Sequence, residues 1–311
     1  MAVKKIVITE FMDLPAVESL RRNFAVAYDP GLVDDTARLM VEVADADAVV
    51  VRNRTQIRST LLAACAQVAV IGRLGVGLDN IDMEACETRG ILVIPATGAN
   101  AQAVAEYVVA TAMFLLRGVY QSTDKVAGGL WPRAALSAGR ETAGKTLGLI
   151  GFGGIGRLTA RLAAALGMRI IAFDPMLKPD DPVWAATQVG SVSLDALLAR
   201  SDVVSLHIPL TPQTQNLLSA QRVAAMKPGA IVINTSRGGI ADEGAIAAAI
   251  KAGALGGAAF DVFEPEPLPA GNPWAGCANV ILTPHVAGVT AEANQRVSTL
   301  IAAEVAKALE A

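Results

Sequence analysis

The chain has a few side chains that could transfer a proton to or from a molecule that carries a carboxylate. They are two histidines, one arginine and two glutamates. His207 and His285 are the only histidines, and each follows an apolar run of the kind that forms a parallel strand. Arg237 follows a third such run, and Glu264 and Glu266 follow a fourth. A histidine can exchange a proton near neutral pH, an arginine can hold a carboxylate, and an acid can keep the histidine charged. Reduction of a 2-keto acid by hydride requires these three functions.

A glycine pattern in the middle of the chain indicates the hydride carrier. The apolar run Thr146–Ile150 leads directly into the motif and residues at helical spacing follow it, which is the context of a dinucleotide site. The motif is Gly151-Phe152-Gly153-Gly154-Ile155-Gly156. We expect Gly151 to allow the tight turn, Gly153 to let the backbone approach a pyrophosphate, and Gly156 to let helix and strand pack closely.

Asp174 decides which dinucleotide is expected. It ends the next apolar run, Arg169–Phe173, where a carboxylate can accept hydrogen bonds from a ribose 2′-hydroxyl and would repel a 2′-phosphate. The sequence therefore predicts NAD as the cofactor.

Composition excludes several other classes of protein. A net charge of −3 over 311 residues gives no reason to expect a nucleic-acid or anionic-membrane partner. The amino terminus enters a strand-like run without a secretory signal, so we expect a cytoplasmic protein. Cys65, Cys86 and Cys277 are odd in number and widely spaced, which predicts neither disulfides nor a metal site.

Short apolar runs alternate with helix-like segments in two series, one before about residue 97 and one from Thr146 to about Pro284. Such alternation predicts parallel sheets. The last helical segment, Ala291–Leu309, has no strand after it, and we infer that it returns to the first domain. The predicted fold is α/β, with two Rossmann-like doubly wound domains. The NAD-binding domain (98–287) is inserted into the substrate-binding, catalytic domain (1–97 plus 288–311), and we expect the cleft at their junction.

Over essentially its full length, the chain resembles the D-isomer-specific 2-hydroxyacid dehydrogenases. The resemblance implies that Arg237 binds the substrate carboxylate and carbonyl, and that His285 is the acid/base. It also implies an acid that hydrogen-bonds the histidine and keeps it charged. Family spacing places this acid immediately before the second proline, which selects Glu266 over Glu264.

The resemblance also implies cofactor contacts from the other strand ends. Asp261 is expected to face the nicotinamide amide. His207 is expected to line the cofactor and to take no part in proton transfer. The remaining cofactor contacts implied in this way are Pro209, Thr235 and Gly288.

The first domain supplies the substrate side. Its loop Arg73–Asp82 resembles the family loop whose backbone N–H groups around Val76 and Gly77 grip the substrate carboxylate, with Gly75 permitting close approach. Asn100 matches another position of the substrate cleft.

A second stretch of the first domain matches positions that bind the distal group in 3-phosphoglycerate dehydrogenases. These positions are Arg52 and Asn53. Arg54, next to them, is either a further contact or an ordinary surface charge.

The expected reaction is hydride transfer between NAD and a small, dianionic 2-hydroxy or 2-keto acid. The chain is similar both to 3-phosphoglycerate dehydrogenases and to (S)-sulfolactate dehydrogenases, and because phosphate and sulfonate are both compact anions, the sequence leaves the two open. A glyoxylate or hydroxypyruvate reductase is an alternative, against which Asp174 and Arg52 argue. A formate dehydrogenase would carry glutamine in place of Glu266.

The chain also resembles proteins of other functional classes. The C-terminal-binding-protein corepressors use this fold to sense dinucleotides, with extra terminal segments for partners. Hydrolases related to S-adenosylhomocysteine hydrolase have a considerably larger substrate domain. Trp131 and Arg133 match a stretch that reaches across a two-fold dimer in the family, so a homodimer is expected. Arg133 is either a contributor to the neighbour's active site or a solvated charge.

Overall fold

The computed structural model describes residues 3–311, and the chain divides into two compact units. The first unit holds the chain as far as Asn100 and again from Val289 onward, and the second unit holds Ala101–Gly288. The sequence placed the two changes of unit at 97/98 and 287/288. The second unit is a continuous stretch inserted into the first.

Parallel strands alternate with helices throughout the described part of the chain. In chain order the elements are β1 (Lys5–Ile8), α1 (Leu14–Arg21), β2 (Ala25–Tyr28), α2 (Thr36–Val43), β3 (Ala48–Val51), α3 (Ser59–Ala64), β4 (Val70–Arg73), α4 (Met83–Thr88), β5 (Leu92–Pro95), α5 (Ala101–Arg117), α6 (Thr123–Ala127), β6 (Thr146–Ile150), α7 (Gly154–Ala165), β7 (Arg169–Phe173), α8 (Pro182–Thr187), β8 (Gly190–Ser191), α9 (Leu194–Arg200), β9 (Val203–Leu206), α10 (Ala220–Ala224), β10 (Ile231–Asn234), α11 (Glu243–Lys251), β11 (Gly257–Phe260), β12 (Val280–Leu282) and α12 (Ala291–Glu310).

The first unit is built on a five-stranded parallel sheet of order β2-β1-β3-β4-β5. Side chains alternate between its two faces, as the pleat requires. Ile6 and Ile8 of β1 pack with α1 and α12 on one face, and Val7 packs with α2 on the other. Both faces are therefore covered, which is why its central strands are apolar at successive positions.

The final helix α12 packs on the first unit. Gly72 of β4 makes this possible, because a Cβ there would lie 2.7 Å from Cγ2 of Ile301 and 2.8 Å from Cγ2 of Val305. The helix also contacts α1, and Ser298 accepts a hydrogen bond from the backbone N–H of Asp13 at 3.0 Å. The chain thus returns to the unit where it began.

The second unit is built on a seven-stranded parallel sheet of order β12-β11-β10-β9-β6-β7-β8. From β6 the chain adds β7 and β8 on one side and then crosses to β9 on the other. The order reverses between β6 and β9, and in open sheets of this kind ligands bind outside the carboxyl ends of the strands at such a point. Two doubly wound α/β units, one inserted into the other, confirm the predicted fold class.

Helices cover both faces of the second sheet. Leu147 and Leu149 of β6 face a core shared with α5 and α7, while Ile150 faces a core shared with α9. No single helix among residues 3–311 is long and apolar enough to cross a membrane. The pair Ala101–Arg117 and Tyr120–Ala127, bent by 64°, meets the length and composition test together, but α5 packs against α7 in the core of this unit.

Strand β2 was not predicted from the sequence. Within the described residues, this strand lies at the edge of the first sheet, pairs only with β1, and has no fully buried residue among Ala25–Tyr28. A short edge strand lacks the continuous apolar run that marks a central parallel strand, so the sequence carries little signal for it.

Candidate active site

The loop after β6 has the geometry of a pyrophosphate cradle. Gly151 has φ of +95°, and a Cβ there would lie 2.4 Å from the carbonyl oxygen of His207. A Cβ on Gly156 would lie 2.4 Å from the carbonyl oxygen of Gly151, so neither position accepts a side chain. A Cβ on Gly153 or Gly154 would meet nothing within 4 Å. These two glycines face open space at the start of α7, whose N-terminus has no side-chain cap.

Asp174 fixes the far side of this loop. Its two carboxylate oxygens accept hydrogen bonds from the backbone N–H groups of Phe152 (2.8 Å) and Met176 (2.9 Å). Phe152 is buried and stacks on Trp184, with 5.0 Å between ring centroids, while Ile155 is half-buried on α7. The carboxylate has lone pairs left for a ribose hydroxyl, because each oxygen accepts one bond from the backbone. The loop and its acid fit NAD.

His207 lies directly beneath the glycine loop, at the end of β9. Its backbone N–H donates to the carbonyl of Ile150 at 2.7 Å, and its Nε2 lies 3.1 Å from Oγ of Ser205. Burial lowers the pKa of this imidazole to about 4. The ring is therefore neutral near pH 7. Pro209, two residues later, is exposed, and its carbonyl accepts a hydrogen bond from the Thr214 hydroxyl.

His285 is paired with Glu266. Its Nδ1 lies 2.9 Å from Oε2 of Glu266, whose other oxygen accepts the backbone N–H of Phe263 at 3.0 Å. Glu264 points elsewhere, since its Oε2 would lie only 2.3 Å from a Cβ built on Gly239. The pairing gives Nδ1 the proton and leaves Nε2 for exchange with a ligand.

The loop that carries His285 is held by Asp261. This buried carboxylate accepts hydrogen bonds from the Thr283 hydroxyl (2.5 Å) and from the backbone N–H groups of Val286 (2.8 Å) and Ala287 (2.7 Å). The backbone N–H of His285 donates to the Asp261 carbonyl at 2.8 Å. These bonds hold His285 at φ of +57°, a conformation that is uncommon outside glycine.

Two residues of this network were not singled out from sequence. The Thr283 hydroxyl joins Asp261 to the Tyr107 hydroxyl, which lies 2.7 Å from it. Burial raises the pKa of Tyr107, and the Asp261 carboxylate adds to the effect. Tyr107 lies on α5, far from the motif in the chain, so only the fold reveals the contact.

A third carboxylate, also missed, lies beside the two glutamates. Trp274 donates its indole N–H to Oε2 of Glu243 at 2.9 Å. Burial raises the pKa of Glu243, and the carboxylates of Glu264 and Glu266 act in the same direction. Glu243 opens α11, where acids are common in any helix, so its position in sequence gave no signal.

Arg237 lies on a loop that packs against the glutamate loop. Asn234 shapes it, accepting the backbone N–H of Ser236 at 3.0 Å and donating to the carbonyl of Arg237 at 2.9 Å. A Cβ on Gly238 would lie 2.1 Å from the carbonyl oxygen of Phe263, so the two loops touch backbone to backbone. Thr235 has a buried hydroxyl without a hydrogen-bond partner among residues 3–311.

These candidates share one edge of the second sheet. The glycine loop follows β6, Asp174 follows β7 and His207 follows β9. Arg237, Glu266 and His285 follow β10, β11 and β12, in the order of the sheet, and Gly288 is the last residue of the unit. The structure brings together the residues that the sequence singled out in this half of the chain.

The candidates of the first unit lie at the carboxyl edge of their own sheet. Gly75 follows β4 with φ of +156°, and its N–H donates to the carbonyl of Arg73 at 2.7 Å. In the described chain, the N–H groups of Val76 and Gly77 donate to no backbone carbonyl. The buried side-chain oxygen of Asn100 has no hydrogen-bond partner there either.

The loop after β3 carries Arg52 and the exposed Asn53. Glu10, a buried acid just beyond β1, accepts the backbone N–H groups of Arg52 (2.9 Å), Arg54 (3.1 Å) and Thr55 (3.0 Å). This role of Glu10 was not predicted from the sequence. An acid directly after a buried strand was the available signal.

Within residues 3–311, no group of three or more His, Cys, Asp or Glu side chains could hold a metal ion. Cys65 and Cys86 are buried and Cys277 is partly buried, all three with free thiols. Burial raises the pKa of the Cys65 thiol to about 11, so this thiol is unreactive near neutral pH.

Comparison with known proteins identifies the relatives of this chain. The family model described as D-isomer specific 2-hydroxyacid dehydrogenase, NAD binding domain, matches residues 109–287. The (S)-sulfolactate dehydrogenase of Chromohalobacter salexigens is 49% identical over 304 residues, which cover 98% of each chain. The D-3-phosphoglycerate dehydrogenase of Mycobacterium leprae is 39% identical over 277 residues, but the match covers 88% of this chain and only 51% of that protein.

Solved structures give the same result. The D-lactate dehydrogenase of Aquifex aeolicus, solved with NAD and lactic acid, has a TM-score of 0.86 at 28% identity, and the match covers 98% of this chain and 95% of that one. A glyoxylate reductase from Paecilomyes thermophila has a TM-score of 0.86 at 27% identity, with 100% and 96% of the two chains covered.

Proposed function

This chain belongs to the D-isomer specific 2-hydroxyacid dehydrogenases and is an NAD-dependent oxidoreductase that acts on the CH–OH group of a small molecule, and we propose that its substrate is a 2-hydroxy acid with a second, anionic group. The sulfonate of sulfolactate and the phosphate of 3-phosphoglycerate are the two candidates. The match along 98% of the length of a sulfolactate dehydrogenase supports the first more strongly.

The observation that carries the proposed acid/base chemistry is the contact of 2.9 Å between His285 Nδ1 and Glu266 Oε2. His285 would protonate the ketone oxygen through Nε2 during reduction and accept the hydroxyl proton during oxidation. Glu266 would stabilise the imidazolium between these steps. Arg237 would orient the substrate carboxylate and polarise the carbonyl.

NAD would supply or accept the hydride, and residues of the second unit would hold it. We assign the pyrophosphate to the N–H groups at the start of α7 and the ribose hydroxyls to Asp174. His207, Pro209, Thr235, Asp261 and Gly288 are the other proposed cofactor contacts. A second negative charge next to Asp174 would be repelled, which would disfavour NADP.

In the first unit, we assign the N–H groups of Val76 and Gly77 to the substrate carboxylate, together with Asn100. Within residues 3–311, neither N–H group donates to a backbone carbonyl, which supports this assignment. Arg52 and Asn53 are the proposed contacts of the distal group.

We test the proposal by measuring NADH formation with 3-phosphoglycerate, both sulfolactate enantiomers, glycerate and lactate. We expect selective turnover of one sulfolactate enantiomer, abolished by His285→Ala. Turnover of phosphoglycerate alone would select the phosphate. Turnover of glycerate alone would instead favour a hydroxypyruvate or glyoxylate reductase. NADH binding without turnover of any acid would overturn the proposed substrate and favour a dinucleotide sensor.

A homodimer in the cytoplasm is also proposed. The stretch that follows α5 exposes three large apolar side chains: Tyr120 (56% exposed), Leu130 (61%) and Trp131 (79%). Contiguous exposed apolar patches mark interaction surfaces, and we propose that these side chains belong to one. The free thiols fit a reducing compartment. Light scattering at several concentrations, with Trp131→Lys as the variant, tests the dimer.

A further inference from the structure

Two arginines follow β3, and their guanidinium groups have different partners. Arg54 is exposed and forms an ion pair with Asp34, with Nη1 lying 3.2 Å from Oδ2 and Nη2 against Oδ1. Because the carboxylate offsets its charge, Arg54 has little attraction left for another anion. This pairing favours the surface-charge interpretation of Arg54.

Arg52 is held by a neutral group instead. Its Nη2 donates to the side-chain oxygen of Asn294 at 2.8 Å, and its guanidinium carbon lies 5.7 Å from the centre of the Phe11 ring. Both contacts orient the guanidinium without cancelling its charge. Burial lowers the pKa of Arg52 and the Glu10 carboxylate opposes this shift. A guanidinium stays charged in proteins all the same.

The backbone beneath Arg52 is fixed from both sides. Glu10 binds three N–H groups of the loop, and the buried Asn80 donates to the carbonyls of Arg52 (3.1 Å) and Thr55 (2.7 Å). The three N–H groups share the negative charge of Glu10, so it does not form the close ion pair with the guanidinium that Asp34 forms with Arg54. The backbone of Arg52 is therefore held in a fixed position, and its guanidinium donates to a neutral amide.

We infer that Asn294 is the positioning residue that reserves Arg52 for the distal anion of the substrate. This inference rests on the proposed function. The amide oxygen takes one guanidinium N–H group and sets the plane of the fork. The remaining donors and the positive charge, which Glu10 offsets only through space, are left for a sulfonate or a phosphate, both of which match the fork. A carboxylate at position 294 would hold the same geometry but would compete with the ligand.

The experiment compares Asn294→Ala with Asn294→Asp, using Gln295→Ala, an exposed neighbour on α12, as the control. Steady-state rates are measured with sulfolactate, 3-phosphoglycerate and glycerate, which lacks the second anion. For the preferred anionic substrate, we expect KM to rise about tenfold in Asn294→Ala and about a hundredfold in Asn294→Asp, with kcat within about twofold. Gln295→Ala should match the parent, and glycerate should not distinguish the variants.

The ranking of the two variants separates this role from a structural one. An acid near the N-terminus of a helix is stabilising, so a merely structural Asn294 predicts that Asn294→Asp is tolerated at least as well as Asn294→Ala. A larger KM for Asn294→Asp, with an unchanged melting temperature, supports the inference. Equal KM values for the two variants, or an equal loss with glycerate, would overturn it.

A double-mutant cycle gives a second check. In an Arg52→Gln background, Asn294→Asp should change KM by less than about twofold, because the cation that it would neutralise is absent. An undiminished effect there would show that Asn294 acts without Arg52. If the parent enzyme turns over no anionic acid, the proposed function fails. If it does and the Asn294 variants match it, only this inference fails.

Discussion

The two histidines of this chain lie on the same edge of the same sheet and have opposite electrostatic surroundings. His285 has the Glu266 carboxylate at 2.9 Å from Nδ1, whereas His207 has the Ser205 hydroxyl at 3.1 Å from Nε2, and burial lowers its pKa to about 4. A carboxylate partner favours the imidazolium, whereas a partly buried ring that is paired with a hydroxyl stays neutral. Side chains of one type thus suit proton transfer in one place and packing against a cofactor loop in the other.

Replacing each histidine in turn tests this comparison with the largest expected change in kcat. We expect His285→Ala to lower kcat about a thousandfold, as loss of a general acid/base does. His207→Asn should leave kcat within about threefold and raise KM for NAD, because its ring supports the glycine loop. Steady-state kinetics with saturating acid measure both. A thousandfold loss of kcat in His207→Asn would show that the assignment of proton transfer to His285 is wrong.

The carboxylate partners provide the next test. Glu266→Gln keeps the shape of the side chain but removes the charge that stabilises the imidazolium, so we expect kcat to fall about a hundredfold. Glu264→Gln is the matched control, two residues away and directed toward Gly239, and should stay within about threefold. If the two variants were equally impaired, the contact between His285 and Glu266 would not be the functional one.

Variants in the hydrogen-bond network of Asp261 test the comparison further, with an expected effect of intermediate size. Thr283→Val removes the hydroxyl that joins Asp261 to Tyr107 and should lower kcat about five- to tenfold, by loosening the His285 loop. The unpaired partners should also cost about 1–2 kcal/mol of unfolding free energy. Tyr107→Phe removes only the outer bond and should have a smaller effect. Denaturant titrations and rates are compared for both variants, and an unchanged kcat in Thr283→Val would contradict the bracing role.

The strand-end residues of the second unit could be chosen from sequence, because the carboxyl ends of parallel strands share an edge. Arg237, Glu266 and His285 each follow their own strand, so strand order alone brings them to one side of the sheet. The glycine loop carried its own signal, since Gly151 and Gly156 lie where a Cβ would clash with backbone.

The contacts that position these residues could not be predicted in this way. Tyr107 meets Thr283 across 176 positions of the chain, and Asn294 meets Arg52 across 242. Neither contact has a local motif, because a helix face is placed by packing and not by the residues next to it. The sequence therefore singled out the residues that we propose to carry the chemistry, whereas the residues that contact them were found only in the structure.

The smallest expected effect is the pH dependence that His207 gives to stability. Its pKa is about 4 in the folded chain against 6.5 as the ordinary value, so between these limits the unfolded chain binds the extra proton. Stability should therefore be full above pH 6.5 and fall as the pH is lowered to about 4, with no further change from this group below it. The loss should be roughly 1–2 kcal/mol, less than the full shift implies, because the side chain is partly open to solvent. The free energy of unfolding is measured between pH 4 and 7 for the parent, His207→Gln and His285→Gln. The dependence on pH should be weaker in His207→Gln and unchanged in His285→Gln. Parallel curves for the parent and His207→Gln would show that His207 is not the histidine that stays neutral.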